Sequence, residues 1–378
     1  MILKNIPDNI LSDFLYIKNI LKSSTSRAYI VGGAVRDYFL DMPITDLDIE
    51  VYGITKFQFE RLMEQIGAIG VGKSFFVYKY NSIDISLPRV ETKVGVGHKA
   101  FDVEVAYDEI VGASRRDFTM NALMVNIFDG QLLDFFDGLS DIKNKKIKII
   151  NKIKFAEDSL RVLRAVQFSA RFGFKIDKKC VEVLKEIPLD DLSSDRIFLE
   201  FQKLFLGKHL HYALFYLLKL DIAKKLLNLE LLFIDFLKIY KLFKLNYQNF
   251  DIRVYEYYFL YILSKELNID IFDICRKLKL PNHYKNIYKL QPNIFIEDRL
   301  NLAILALEMP IYLYLENYHE DIQKIAKEMS IYDEKLTIII DENIIKSLNL
   351  SGSELGKKIK ELKIEKIKEK FGFNITKE

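Results

Sequence analysis

Apolar residues in the first 150 positions fall into short runs separated by polar turn residues. Ala28–Val31, Leu47–Tyr52, Phe76–Tyr80, Ser82–Leu87 and Ala122–Ile127 have the length and β-rich content of strands. Between them Ala34–Leu40 and Lys56–Ile66 carry helical spacing, and residues 7–23 read as a helix ahead of the first strand. Asn81 and Ser82 form a hairpin signal, so the strand carrying Asp84 is expected antiparallel to the one before it. From about residue 154 the strand signals fade. Leu160, Leu163, Val166 and Phe168 follow a helical period, as do Leu204, Phe205, Leu210 and Leu214, while Pro188 and Pro281 mark helix boundaries. The pattern predicts an α+β fold: a mixed sheet with helices, followed by a mostly helical region. Residues 206–310 carry no legible motif. Gly356–Lys370 predicts an amphipathic helix, read either as a solvated face or as a surface for an RNA backbone.

Composition narrows this picture. At 378 residues the chain has room for several cores, and half of its residues are apolar. The net charge is only +3, so nucleic-acid binding would need local patches. Cys180 and Cys275 stand far apart with no second thiol or His nearby, which argues against a zinc site and fits a reducing compartment. With no bilayer-length apolar run and no signal-peptide pattern, the sequence is expected to be a soluble, cytoplasmic protein with no membrane association.

The chemistry concentrates in three places. In the first, a Gly32-Gly33 turn follows an apolar strand, and Asp46 and Asp48 follow on the next. Two residues apart on a strand, these acids share one face and repel each other unless a cation intervenes. The glycines let backbone N–H groups approach an anion. Asp84, between two isoleucines, needs a partner, and if its strand neighbours that of Asp48 three carboxylates converge. Such a set suits two Mg²⁺ ions completed by water and phosphate oxygens. The second place is Ser114–Leu123, where Arg115, Arg116, Asp117, Thr119 and Asn121 precede an apolar run. Asp117 and Thr119 read as helix caps, or else an arginine binds a triphosphate while Asp117 and Asn121 position it or the sugar. The third is Ala156–Gln167. On a helix Asp158, Arg161 and Arg164 form one ridge, either as a surface i, i+3 ion pair or as a base-reading edge. A carboxylate beside a guanidinium matches the amino donor and ring-nitrogen acceptor of adenine and cytosine, and rejects guanine and uracil.

Taken together these motifs are similar to one family. Gly32-Gly33-Ala34-Val35-Arg36-Asp37 with Asp46-Leu47-Asp48, Arg115–Leu123, Glu157–Arg161 and Asp195-Arg196-Ile197 occur in the order found in class II tRNA nucleotidyltransferases and bacterial poly(A) polymerases. The run Leu160–Phe174 resembles the CCA-adding branch most closely. The resemblance spans roughly residues 28–205. It implies a nucleotidyltransferase palm or head (1–142), a helical neck with the nucleotide-selecting motif (143–206), a helical body (207–290) and a helical tail that binds tRNA (291–378). Asp46 and Asp48 then match the metal-binding carboxylates, and Asp84 the third catalytic acid. Gly32, Gly33 and Arg36 match nucleotide contacts of the first motif. Arg115 matches the next contact, with Arg116 the alternative. Asp158 and Arg161 match the protein template that selects CTP or ATP, Arg164 a further nucleotide contact, and Arg196 an arginine that steadies the neck.

The implied activity is addition of CCA, or its terminal A, to tRNA 3′ ends from CTP and ATP with Mg²⁺. The implied partner is the acceptor stem and 3′ end of tRNA. A poly(A) polymerase or A-adding specialist is the alternative, and an inactive RNA-binding relative a more distant one. Two positions depart from the family pattern: Gln167 stands where many relatives are basic, and Ser159 where Pro or Ala is common. Arg89–Phe101 resembles the loop that helps switch from C to A addition, and its glycines suit such motion. The five histidines are scattered, so no appended phosphohydrolase is expected. The residues set no oligomeric state.

Overall fold

The computed structural model describes residues 6–72, 76–93 and 101–373. It divides into two compact units, one running to Glu200 with Lys219–Asp221, the other comprising Phe201–Leu218 and Ile222 onward.

The first unit opens with α1 (Asp8–Lys22), which buries Ile10, Phe14, Ile17 and Leu21 along one stripe. Then come β1 (Ala28–Val31), α2 (Gly33–Phe39), β2 (Leu47–Val51), α3 (Lys56–Gln65), β3 (Ile69–Gly72), β4 (Val77–Tyr80) and β5 (Ile83–Ser86). Thr55 and Gln58 close a reciprocal capping box that starts α3. The hairpin strands β6 (Arg89–Lys93) and β7 (Phe101–Val105) lead to α4 (Glu109–Ser114), β8 (Met124–Asn126) and β9 (Leu132–Leu133). Among the described residues seven strands form the main sheet, in the order β3-β4-β5-β2-β1-β8-β9. β2 and β5 run parallel, and the other neighbours are antiparallel. The expected Asn81-Ser82 hairpin is present between β4 and β5. The edge strand β3 and the β6–β7 hairpin lie outside the expected set. Ile69 and Val71 of β3 alternate with glycines, too few apolar residues to signal a strand.

Beyond the sheet, α5 (Gly138–Lys143), β10 (Lys146–Ile147), α6 (Lys152–Ala156), α7 (Leu160–Phe172), β11 (Lys175–Ile176), α8 (Lys178–Glu186) and α9 (Ser194–Phe205) follow. β10 and β11 form a short parallel pair, an exception to the fading of strands past residue 154. α7 buries most of its surface, with Val162, Leu163, Ala165, Val166, Phe168 and Ala170 enclosed. Phe118 packs edge-on against Phe155 and Phe168, fastening α6 and α7 to the segment that leads into β8.

α5 packs its backbone tightly against the 3₁₀ turn Thr119–Asn121. A Cβ on Gly138 would stand 2.3 Å from the Thr119 carbonyl oxygen and 2.9 Å from its carbon. Backbone cannot swing aside as a long side chain can. Gly138→Ala is therefore expected to cost about 3 kcal/mol and to lower the melting temperature by roughly 6–12 °C. A calorimetric scan that superimposes on wild type would refute this packing.

The second unit is helical. Phe205, Phe243 and Phe259 stack in one core, and Leu302, Tyr314, Ile322 and Ile331 form another. The helix Gly352–Phe371 contributes Ile367 to that second core and leaves most of its lysines and glutamates in solvent, as a charge-laced outer helix does. Pro281 caps the helix Asn282–Lys289. Cys180 and Cys275 are both buried free thiols. Among the described residues no helix is long and apolar enough to cross a membrane.

Candidate active site

β1 is buried along its whole length and ends at Gly32, whose φ is +69°. That conformation favours glycine, and the space does as well. A Cβ there would stand 3.0 Å from Arg116 Nη1 and 3.6 Å from Asp48 Oδ2. The turn thus presses its backbone against one acid and one base of the site. Gly33 opens α2, where an added Cβ would meet Arg36 Nη2 at an ordinary 3.5 Å.

β2 separates its residues by alternation. Leu47, Ile49 and Val51 are fully buried on one face. Asp48 and Glu50 take the other. The parallel register sets Asp48 opposite Asp84 of β5, so the adjacency on which convergence of the acids depended is met. Asp46, just before the strand, accepts a hydrogen bond from Thr45 at 2.8 Å. Lys79 Nζ lies 3.7 Å from Asp84 Oδ1, an oxygen that is buried and has no hydrogen-bond partner. Among the described residues no three Asp, Glu, His or Cys side chains stand close enough to form a ready metal cage. The expected convergence of three carboxylates is thus a neighbourhood rather than a formed trio, because Asp46 turns to Thr45 and Asp84 to Lys79.

The Asp48 carboxyl is pushed up to about 6. Desolvation by the surrounding walls comes first; Asp46, Asp84 and Glu50 add to it and Arg116 opposes it. An all-oxygen donor set, an orphaned buried carboxylate oxygen and mutual repulsion fit a hard divalent cation. Mg²⁺ needs only one or two protein carboxylates when phosphate oxygens and water complete its shell.

Behind the acids sits Glu50, 1% exposed and outside the Asp-x-Asp pair. Its Oε1 accepts from Arg115 Nη2 at 2.7 Å and Arg116 Nη2 at 2.8 Å, and its Oε2 from the Tyr52 hydroxyl at 3.0 Å. Burial alone would raise the Glu50 carboxyl, but the two guanidiniums overrule it and hold it down to about 2. The signal was available: Glu50 continues the i, i+2 series of Asp46 and Asp48.

Asp117 and Asn121 form a buried relay. Asp117 accepts from the Phe118 backbone N–H at 2.8 Å, from Asn121 Nδ2 at 2.8 Å and from Arg164 Nε at 2.7 Å. Asn121 Oδ1 in turn accepts from Arg36 Nη1 at 2.7 Å. Arg36 also pairs with Asp37 at 2.7 Å and lies over the Phe172 ring, 4.7 Å from its centroid. Thr119 donates to Asp141 at 2.7 Å rather than capping a helix. Burial lowers the Arg36 guanidinium, whereas Asp117 is held below the usual carboxylate range because Arg164 and Asn121 outweigh its burial.

The ridge expected from Asp158 to Arg164 is only partly helical. α7 begins at Leu160, so Asp158 lies in the turn before it, where its Oδ1 caps the Leu160 N–H at 3.3 Å. Asp158 is held by Arg196 of α9 at 2.9 Å. Arg161 instead donates to two backbone carbonyls, Lys154 O at 2.8 Å and Arg115 O at 3.0 Å. The sequence pattern could not show this, because the competing acceptors are backbone atoms. Gln167 is buried in α7 with its Nε2 unpartnered, and Ser159 donates to Asp191 at 2.5 Å. The proposed switching loop lies mostly outside the described residues; its flanks form the β6–β7 hairpin.

Residues 28–148 match the family model of the poly A polymerase head domain, and residues 173–231 that of a probable RNA and SrmB-binding site of polymerase A. A CCA-adding enzyme of Lactococcus lactis subsp. lactis is 28% identical over 375 residues, covering 92% of each chain. A multifunctional CCA protein of Pasteurella multocida is 36% identical over 194 residues, 48% of this chain and 45% of the relative. A Bacillus stearothermophilus CCA-adding enzyme solved in complex with CTP superposes with a TM-score of 0.70 at 21% identity, covering 97% of this chain and 94% of the other. At that identity the likeness speaks for the fold.

Proposed function

We propose that the chain is a class II tRNA nucleotidyltransferase of the poly(A) polymerase family, whose head-domain model it matches over residues 28–148, and that it adds CCA to tRNA 3′ ends from CTP and ATP. The observation that carries the reading is the parallel register of Asp48 with Asp84, set against the Gly32 turn and the Arg115-Arg116 pair. On this reading, acids that would hold metal and arginines that would meet phosphate share one side of the first unit.

The tRNA 3′-hydroxyl attacks the α-phosphorus, the bond to the β-phosphate breaks and pyrophosphate leaves. Asp46 and Asp48 would hold Mg²⁺, two ions with Asp84 adjoining. Bound there, Mg²⁺ supplies Lewis acidity to the attacking hydroxyl and to the leaving phosphates. Arg115 and Arg116 spread positive charge along the triphosphate. Arg36, Asn121, Asp117 and Arg164 form the wall behind it, which fixes Arg164 toward the nucleotide. Asp158 and Arg161 present the acceptor and donors that match cytosine and adenine. The remaining assignments follow the family plan. Head, neck, body and tail occupy 1–142, 143–206, 207–290 and 291–378, tRNA lies along the helical tail, and the work is done in the cytoplasm.

Incubation with tRNAs ending before CCA, after C and after CC, each with one nucleotide at a time, tests this reading. C is expected on the first two substrates and a single A on the third. Absence of C addition to the first would replace the reading with an A-adding specialist. Unlimited A addition would replace it with a poly(A) polymerase.

A further inference from the structure

We propose that Glu50 is a positioning residue that aims Arg116 at the triphosphate and, through the backbone of Arg115, sets the base-reading Arg161. The proposal rests on the nucleotidyltransferase reading above and adds a residue to it.

One carboxylate oxygen of Glu50 receives both guanidiniums, at 2.7 and 2.8 Å, in a pocket that leaves the residue 1% exposed. A buried acid is costly unless fully paired, so this oxygen fixes two forks at once. Arg116 spends Nη2 on Glu50 and turns Nη1 to the Gly32 turn, 3.0 Å from where a Cβ would be. Arg115 carries its main-chain carbonyl to Arg161 Nη2 at 3.0 Å. The same two-residue segment therefore touches the phosphate end of the cleft with one residue and the base end with the other.

The anchor is itself braced. The Tyr52 hydroxyl donates to Glu50 Oε2 at 3.0 Å. Behind Tyr52 lies Gly112 of α4, where a Cβ would stand 2.2 Å from that hydroxyl. Gly112 thus packs closely behind the Tyr52 hydroxyl that holds the second oxygen of Glu50. A residue serving stability alone would hold one arginine as well as two, with no link to Arg161.

Glu50→Gln and Tyr52→Phe test the assignment on the full chain. The readouts are equilibrium binding of CTP and of ATP, the ratio of correct to incorrect nucleotide incorporated on tRNA, and the melting curve. Glu50→Gln is expected to weaken binding of both nucleotides about tenfold and to lower the incorporation ratio about tenfold, the scale of one charge-assisted hydrogen bond lost. Tyr52→Phe should shift both quantities in the same direction by about threefold, on the scale of one neutral hydrogen bond, and melt cooperatively. If Glu50→Gln does not fold, Tyr52→Phe decides. A folded variant with wild-type binding and wild-type incorporation ratio overturns the assignment even if its melting temperature falls. A wild-type protein that binds neither CTP nor ATP removes the functional reading together with it. Wild-type binding with unchanged variants removes only Glu50.

Discussion

Asp48→Ala is expected to lower nucleotide incorporation by at least about a thousandfold while leaving tRNA binding within about twofold of wild type. Asp48 stands beside Asp46 and opposite Asp84, and its carboxyl is raised to about 6, by desolvation first and by repulsion from these acids in addition. That repulsion is what a divalent ion would relieve. Removing Asp48 leaves Asp46 bonded to Thr45 and Asp84 beside Lys79, two acids with other partners. The measurement is single-turnover extension of a tRNA ending in CC, with binding followed separately by gel shift. Retained extension would sink the metal assignment. Joint loss of extension and tRNA binding would point instead to a collapsed head.

Arg161→Ala is expected to reduce discrimination of CTP and ATP against UTP and GTP by about a hundredfold. Triphosphate binding should change by less than about threefold, because that end of the cleft keeps Arg115 and Arg116. The structure sharpens the reason. Arg161 is directed by two carbonyls, and Asp158 by Arg196, so acceptor and donors are fixed from different elements. A base showing a carbonyl where an amino group is needed would face Asp158 with no hydrogen to give. Competition assays with mixed nucleotides on one tRNA read the effect directly. Unchanged selectivity would rule out the template role. A melting curve guards against a trivial cause, since the substitution also leaves the carbonyls of Lys154 and Arg115 without this donor.

Much of the head was legible because its chemistry follows period two. Alternation in β2 separated Leu47, Ile49 and Val51 from Asp48, and the Asn81-Ser82 turn placed Asp84 on a strand of its own. What sequence could not supply was which strands adjoin. The β2–β5 pairing joins runs more than thirty residues apart, and no local pattern encodes it. Glu50 was visible as a third acid in the series, yet nothing local tied it to Arg115 and Arg116, 65 and 66 residues away. At Asp158 the error was of boundary. Periodic apolar residues suggested a helix already under way, whereas the chain turns through Glu157–Ser159 before α7 begins. The helical second unit remained mute about function for a simple reason. Its Leu, Ile, Phe and Tyr residues fill cores, and packing leaves no chemical signature.

The parallel pairing of β2 with β5 also dictates an order of events. Parallel neighbours need a crossover, here made by α3, β3 and β4. A nascent chain that has emerged only as far as α3 can pair β2 with β1, which sets Val31 opposite Asp48, but it still lacks Asp84. Asp84 arrives with the return strand, and the arginines that Glu50 secures arrive about thirty residues later. The growing polypeptide therefore holds an unneutralised acidic strand through much of the synthesis of its own head, and the cleft closes electrostatically only when Arg115 and Arg116 reach it.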